Sequence, residues 1–193
     1  MAGLKKHRAI TVYGRGGQGA VTSSEVLAIA SFYDGLNCQA FPSFGVERRG
    51  APVTAYARIS EKPIRIRQQV YNPNYVIVLD PSLTEAIDVG AGTDENSIIL
   101  INSDKNPQDF KLKTKAKVYT VNVTKKALEV IGKPFVNIAI LGFFSYITKE
   151  ISLESLKKAV DEAFESKPKI AELNKKAIEA VFDACKDNIC LKN

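Results

Sequence analysis

Six residues, Gly14-Arg15-Gly16-Gly17-Gln18-Gly19, limit the possible folds of this chain more than any others. They follow a short β-branched and aromatic run, Ala9 to Tyr13, and precede an apolar-rich helical pattern from about Ala20 to Tyr33. The segment therefore reads as strand, glycine loop, helix. Glycines at the G-x-G-x-x-G spacing let the backbone turn tightly and approach a neighbour closely, and the helix N-terminus behind them offers unpaired N–H donors to an anion. Gly14, Gly16, Gly17 and Gly19 are candidate anion or phosphate contacts; the alternative is a tight turn that packs helix against strand and holds no ligand.

The rest of the pattern extends this unit into a sheet. Tyr75 to Leu79 and Ser97 to Ile101 are continuously apolar, as expected of parallel strands buried on both faces, and each ends in polar turn residues, Asp80-Pro81-Ser82 and Asn102-Ser103-Asp104. Lys117 to Val121 predicts a further strand, with a helical stretch following to Ile131. The alternation predicts an α/β fold with a Rossmann-like, doubly wound, mostly parallel sheet. An antiparallel hairpin is expected from Val53 to Ile59 and Pro63 to Arg67 about Ser60-Glu61-Lys62. Phe135 to Ile147 is a nearly all-apolar helix that must be buried in the chain's own core or against a neighbouring subunit. Two C-terminal amphipathic helices follow, Ser152 to Phe164 and Pro168 to Lys186, the second with proline near its first turn. With 193 residues and 45% hydrophobic content, one domain over residues 1–193 is expected, its helices at about 151–189 forming an extension.

Several function classes lose support on residue grounds. A dinucleotide site expects an acidic residue about twenty positions beyond the glycine loop to grip the ribose, but Asn37-Cys38-Gln39-Ala40-Phe41 offers no carboxylate. The loop lacks the Gly-Lys-Ser/Thr ending of a P-loop. Cys38, Cys185 and Cys190 do not form the closely spaced pairs of a zinc or iron–sulfur site, and they read as reduced thiols. A formal net charge of +6, spread along the chain, suits an acidic protein partner or a phosphorylated ligand about as well as nucleic acid, but no recognisable nucleic-acid module accompanies it. The first residues, Met1 to Arg8, carry no apolar stretch of a signal peptide or membrane span, so no membrane association and a cytoplasmic location are expected.

The second conspicuous segment is Phe41-Pro42-Ser43-Phe44-Gly45-Val46-Glu47-Arg48-Arg49-Gly50-Ala51-Pro52. Prolines and glycines stiffen it, and Glu47, Arg48 and Arg49 give it three adjacent charges. Arginine forks suit carboxylates and phosphates, so the segment is either a presenting loop or a solvated turn with local ion pairs. In register with the glycine loop, this segment resembles the gamma subunit, or the equivalent domain of fused chains, of pyruvate and related 2-oxoacid:ferredoxin oxidoreductases. The likeness continues through Ala55-Tyr56-Ala57-Arg58-Ile59, Ile64-Arg65 and Asn72-Pro73 to Leu79-Asp80, then loosens to the order of strands and helices.

The resemblance implies CoA-dependent oxidative decarboxylation of a 2-oxoacid to acyl-CoA, carbon dioxide and reduced ferredoxin, a reaction of anaerobic metabolism. It implies thiamine pyrophosphate, Mg2+ and [4Fe-4S] clusters in partner subunits, namely alpha, beta (thiamine pyrophosphate) and delta (ferredoxin-type), with ferredoxin as electron acceptor. This chain has neither a glycine-aspartate-glycine diphosphate motif nor a cysteine array, so no cofactor and no catalytic residue is assigned to it. Phe44, Glu47, Arg48 and Arg49 are the residues expected to face a partner subunit or CoA. The competing reading is a free-standing Rossmann-type nucleotide-binding reductase, for which His7 is the one plausible acid–base residue.

Overall fold

A computed structural model describes residues 7–43, 49–66 and 68–186. Six strands form one sheet: β1 (Arg8–Arg15), β2 (Asn37–Pro42), β3 (Pro52–Ser60), β4 (Tyr75–Val78), β5 (Ile98–Asn102) and β6 (Lys117–Val121), in the spatial order β2-β3-β1-β4-β5-β6. β1, β4, β5 and β6 run parallel, and β3 lies antiparallel to both β1 and β2. The helices are α1 (Ala20–Tyr33), the single turn α2 (Leu83–Ala86), α3 (Val123–Ile131), α4 (Val136–Thr148), α5 (Leu153–Ala163) and α6 (Pro168–Lys186). The fold is the mixed α/β, mostly parallel arrangement that the hydrophobic periodicity predicts.

The antiparallel part is built from different segments than expected. β3 pairs with β2 from Asn37 opposite Ser60 to Pro42 opposite Ala55, and residues 63–66 form no strand. Two physical reasons account for this. β3 already has a neighbour on each side, so no edge is left to receive a third partner, and Pro63 has no N–H to donate to a ladder. Gln68 and Gln69 instead lie against β3. There the buried Arg58 donates to the carbonyl oxygens of Gln68 and of Gln69 (3.2 Å) and lies 4.9 Å from the centre of the Phe41 ring. Those contacts satisfy a guanidinium that would otherwise be costly to bury.

Successive residues of the inner strands feed opposite cores, as the pleat requires. Ile10, Val12, Tyr75, Ile77 and Leu100 point into the larger core, shared with α1, α3, α4, α5 and α6. Val76, Val78, Ile99 and Ile101 point into a smaller one closed by Leu83 and Val89. Each such side chain contributes about 1.5–3 kcal/mol through burial. The all-apolar helix α4 finds its partners inside the chain: Phe143 and Phe144 are fully buried among sheet and helices, which decides between the two settings left open for it. α5 and α6 belong to the same core through Leu156, Val160, Ile178 and Val181. Helix starts follow local chemistry. Asn122 caps α3 by accepting from Lys125 N (2.9 Å), and Ser152 caps α5 by accepting from Ser155 N (3.1 Å) while Asp34 ties Ser152 and Ser155 to the end of α1.

Candidate functional site

The glycine loop lies at the carboxyl end of β1, the edge of an open α/β sheet where ligands and partners are commonly received. Its glycines have distinct local reasons. Gly17 and Gly19 adopt φ of +93° and +80°, a region that disfavours side chains. A Cβ on Gly19 would lie 2.5 Å from Asn137 Nδ2, at the start of α4, and one on Gly14 would crowd Leu79 and Ala20 at 3.1 and 3.2 Å. Ser23 Oγ strengthens the junction of α1 and α4 by donating to the Asn137 carbonyl at 2.8 Å. Close packing of strand and helices thus accounts for Gly14 and Gly19. Gly17 and Gly19 also border an open groove of about 510 Å³ shared with Pro134, Phe135, Asn137 and Asn174.

Gly16 joins the two motifs that the sequence presents separately. Its N–H donates to Ala51 O (2.8 Å), and its carbonyl accepts from Gly50 N (3.2 Å). Ser43 N donates to Thr54 O (2.8 Å), so the segment 41–52 is anchored where it leaves β2 and again where it enters β3. Phe44, Glu47 and Arg48, expected to face a partner or CoA, lie outside the described residues, as does Cys190. Arg49 is exposed and makes no ion pair among the described residues. His7 stands before β1, at the opposite end of that strand from the glycine loop, so the structure separates the two features that a nucleotide-dependent reductase would need together.

Residues that sequence reading left as turn and loop complete the edge. Arg15 Nε donates to Asp80 Oδ2 (3.1 Å), and the other guanidinium nitrogens donate to Gly50 O (3.0 Å) and Ser82 Oγ (2.7 Å). Gln18 Nε2 reaches the same Asp80 oxygen at 3.1 Å, and Gln18 Oε1 accepts from Arg15 N at 2.8 Å. Ser82 supplies its N–H and Oγ to Asp80 Oδ1 at 3.0 and 2.6 Å. Partial burial alone would raise the Asp80 pKa, but the hydrogen bonds from Ser82 and Gln18 and the charge of Arg15 outweigh it and hold this carboxyl below the usual aspartate range. The available signal was positional: Asp80 ends an apolar strand parallel to β1, and Arg15 and Gln18 sit inside the glycine hexad.

A stability test follows from that depressed pKa. The carboxylate stabilises the fold above the unfolded-state pKa of about 3.9, and the contribution disappears as pH falls through the lower folded-state value. Asp80→Asn is therefore expected to lower stability by about 1 kcal/mol at neutral pH, solvent screening keeping the figure small. The difference from the parent should shrink below about pH 4. Urea unfolding of both proteins at pH 7 and pH 3.5 checks this; a gap that widens in acid would contradict it.

The strand order argues against a dinucleotide site of Rossmann type. Antiparallel β3 stands between β1 and β2, so the strand that would carry a ribose-binding carboxylate is displaced from the glycine loop. Among the described residues no group of three or more His, Cys, Asp or Glu is arranged to hold a metal ion.

Comparisons with known proteins agree on one family. A family model described as pyruvate ferredoxin/flavodoxin oxidoreductase matches residues 9–184. The chain is 52% identical over 153 residues to a protein of Methanosarcina barkeri named pyruvate synthase subunit PorC, covering 79% of this chain and 84% of that one. It is 48% identical over 177 residues to the pyruvate/ketoisovalerate oxidoreductases common subunit gamma of Thermococcus kodakarensis, covering 90% and 95% respectively. Among solved structures, the pyruvate oxidoreductase subunit PORC of Thermotoga maritima superposes with a TM-score of 0.80 at 32% identity, covering 93% of this chain and 97% of that chain.

Proposed function

Because this chain belongs to the pyruvate ferredoxin/flavodoxin oxidoreductase family, we infer that it acts as the gamma subunit of a 2-oxoacid:ferredoxin oxidoreductase. The observation that carries this is the match of residues 9–184 to the family, together with near full-length similarity to chains named as single subunits of such enzymes. The free-standing reductase is not favoured. Pyruvate is the substrate we assign, since the relatives' names carry it, and the reaction is CoA-dependent oxidative decarboxylation to acetyl-CoA and carbon dioxide with electrons delivered to ferredoxin. Thiamine pyrophosphate with Mg2+ and [4Fe-4S] clusters would supply the carbanion and electron-transfer chemistry from alpha, beta and delta partner subunits.

The task assigned to this chain is to build and line the complex. The segment from Phe41 to Pro52 is its contact surface, with Phe44, Glu47, Arg48 and Arg49 meeting a partner subunit or CoA, and the Gly14–Gly19 turn, joined to Gly50 and Ala51 through Gly16, as the neighbouring candidate for an anionic group. Cytoplasmic location is part of the same reading; no helix among the described residues is long and apolar enough to cross a membrane.

Reconstitution tests the proposal. The purified chain is expected to be colourless, free of stoichiometric iron and zinc, and inactive alone. Omitting it from a mixture of the other subunits should abolish pyruvate- and CoA-dependent reduction of a low-potential dye, and adding it back should restore the rate. Full activity of a complex lacking this chain, or several iron atoms bound per chain, would contradict the reading.

A further inference from the structure

Arg15 occupies the last ladder position of β1, opposite Pro52, and its guanidinium engages three partners at once: Asp80 Oδ2, Ser82 Oγ and Gly50 O. Asp80 is itself fixed, since Ser82 donates to one carboxylate oxygen twice and Gln18 to the other. The end of β4 is therefore a rigid anchor, and Arg15 carries its position across to Gly50, the residue next to Arg49. Gly50 needs such a hold. It lies at φ +82°, and a Cβ built there would meet nothing within 4 Å, so hydrogen bonds rather than packing define its place. The reciprocal pairing with Gly16 supplies the backbone half of that hold, and Arg15 NH1 supplies the side-chain half.

We propose that Arg15 is a positioning residue: it clamps the Arg49–Gly50 limb to Asp80 and so aims Arg49. This rests on the reading of residues 41–52 as a contact surface. The arginine fork is required. A lysine could reach Asp80, but as a compact point charge it cannot hold the carboxylate, the Ser82 hydroxyl and the Gly50 carbonyl together in one plane. Asp80, Ser82 and Gln18 then serve the loop indirectly, as the support that keeps the fork in one orientation.

The test uses the reconstituted complex carrying Arg15→Ala or Arg15→Lys, with two readouts. In hydrogen exchange, the Gly50 amide is expected to exchange about tenfold faster or more, while the amides of Ile10 to Val12, paired within the sheet, keep their protection. In kinetics and assembly, either the KM for CoA or the dissociation constant of the subunit is expected to rise about five- to tenfold with kcat changed by less than about twofold, and lysine should not restore it. Unchanged Gly50 exchange, full rescue by lysine, or loss of protection along the whole of β1 would each overturn the proposal, the last by showing a general structural role. The contact-surface reading fails separately, through an Arg48→Ala, Arg49→Ala complex that assembles and uses CoA normally; Gly50 exchange in the Arg15 variants still reports whether the limb is clamped.

Discussion

Gly142→Ala is expected to destabilise the chain by about 3 kcal/mol or more, lowering the melting temperature by about 6–12 °C for a domain of this size. Gly142 lies where α4 crosses α6. A methyl group there would sit 2.2 Å from the carbonyl oxygen of Ile178 and 3.2 Å from Phe182 N, and both are backbone atoms. A side chain could rotate away, but backbone cannot, so α6 would have to move as a unit. That shift would pull the fully buried Ala177, Ile178 and Val181 out of register with the core. The gain of about 1 kcal/mol in helix propensity from replacing glycine by alanine opposes the clash and is too small to cancel it. Gly35→Ala serves as the control: its φ is +76° but a Cβ there meets nothing within 4 Å, so only a backbone cost of about 1 kcal/mol is expected. Thermal and urea unfolding of the two variants separate contact from conformation. A Gly142→Ala protein that melts within about 2 °C of the parent would show that the two helices have slack at this crossing.

The α4–α6 contact also marks where sequence reading stops. Periodicity located α4 and α6 because burial writes a repeat into the chain, and the apolar runs of β4 and β5 were legible for the same reason. Nothing local says which helix lies against Gly142. The neighbour of β3 was misassigned because residues 63–67 follow it directly across a turn, and the choice between them and residues 37–42 depends on which edges remain free once β1 has paired. The candidate site divides in the same way. The glycine hexad and the Phe41–Pro52 segment announced themselves by composition, but their joining through Gly16, Gly50 and Ala51 spans about 35 residues and is a property of the β1–β3 pairing. Arg15 and Asp80 were visible only as single polar residues; their importance comes from meeting each other at adjacent strand ends.

Replacing Arg48 and Arg49 together by alanine should produce the largest functional loss for the least structural damage. Arg49 is exposed and makes no ion pair among the described residues, so its truncation is expected to cost the isolated chain less than about 0.5 kcal/mol. The limb that carries it is anchored at Ser43 and Gly50, which limits the entropy lost when the loop meets another surface. Two outcomes distinguish what the arginines meet. If they meet a partner's carboxylates, the double variant should weaken assembly by a few kcal/mol when the contact is dry and by under about 1 kcal/mol when it stays wet, visible as free subunit in gel filtration. If they meet the phosphates of CoA, the complex should assemble normally, with the KM for CoA raised about tenfold or more and that for the 2-oxoacid nearly unchanged. Raising the salt concentration should mimic the substitution where the contact stays wet, because charges near solvent are screened over about 8–10 Å, and should do little where it is dry. Parental assembly, parental KM values for both substrates and no added sensitivity to salt would reduce residues 41–52 to a solvated turn and leave the chain's contact surface to be sought elsewhere.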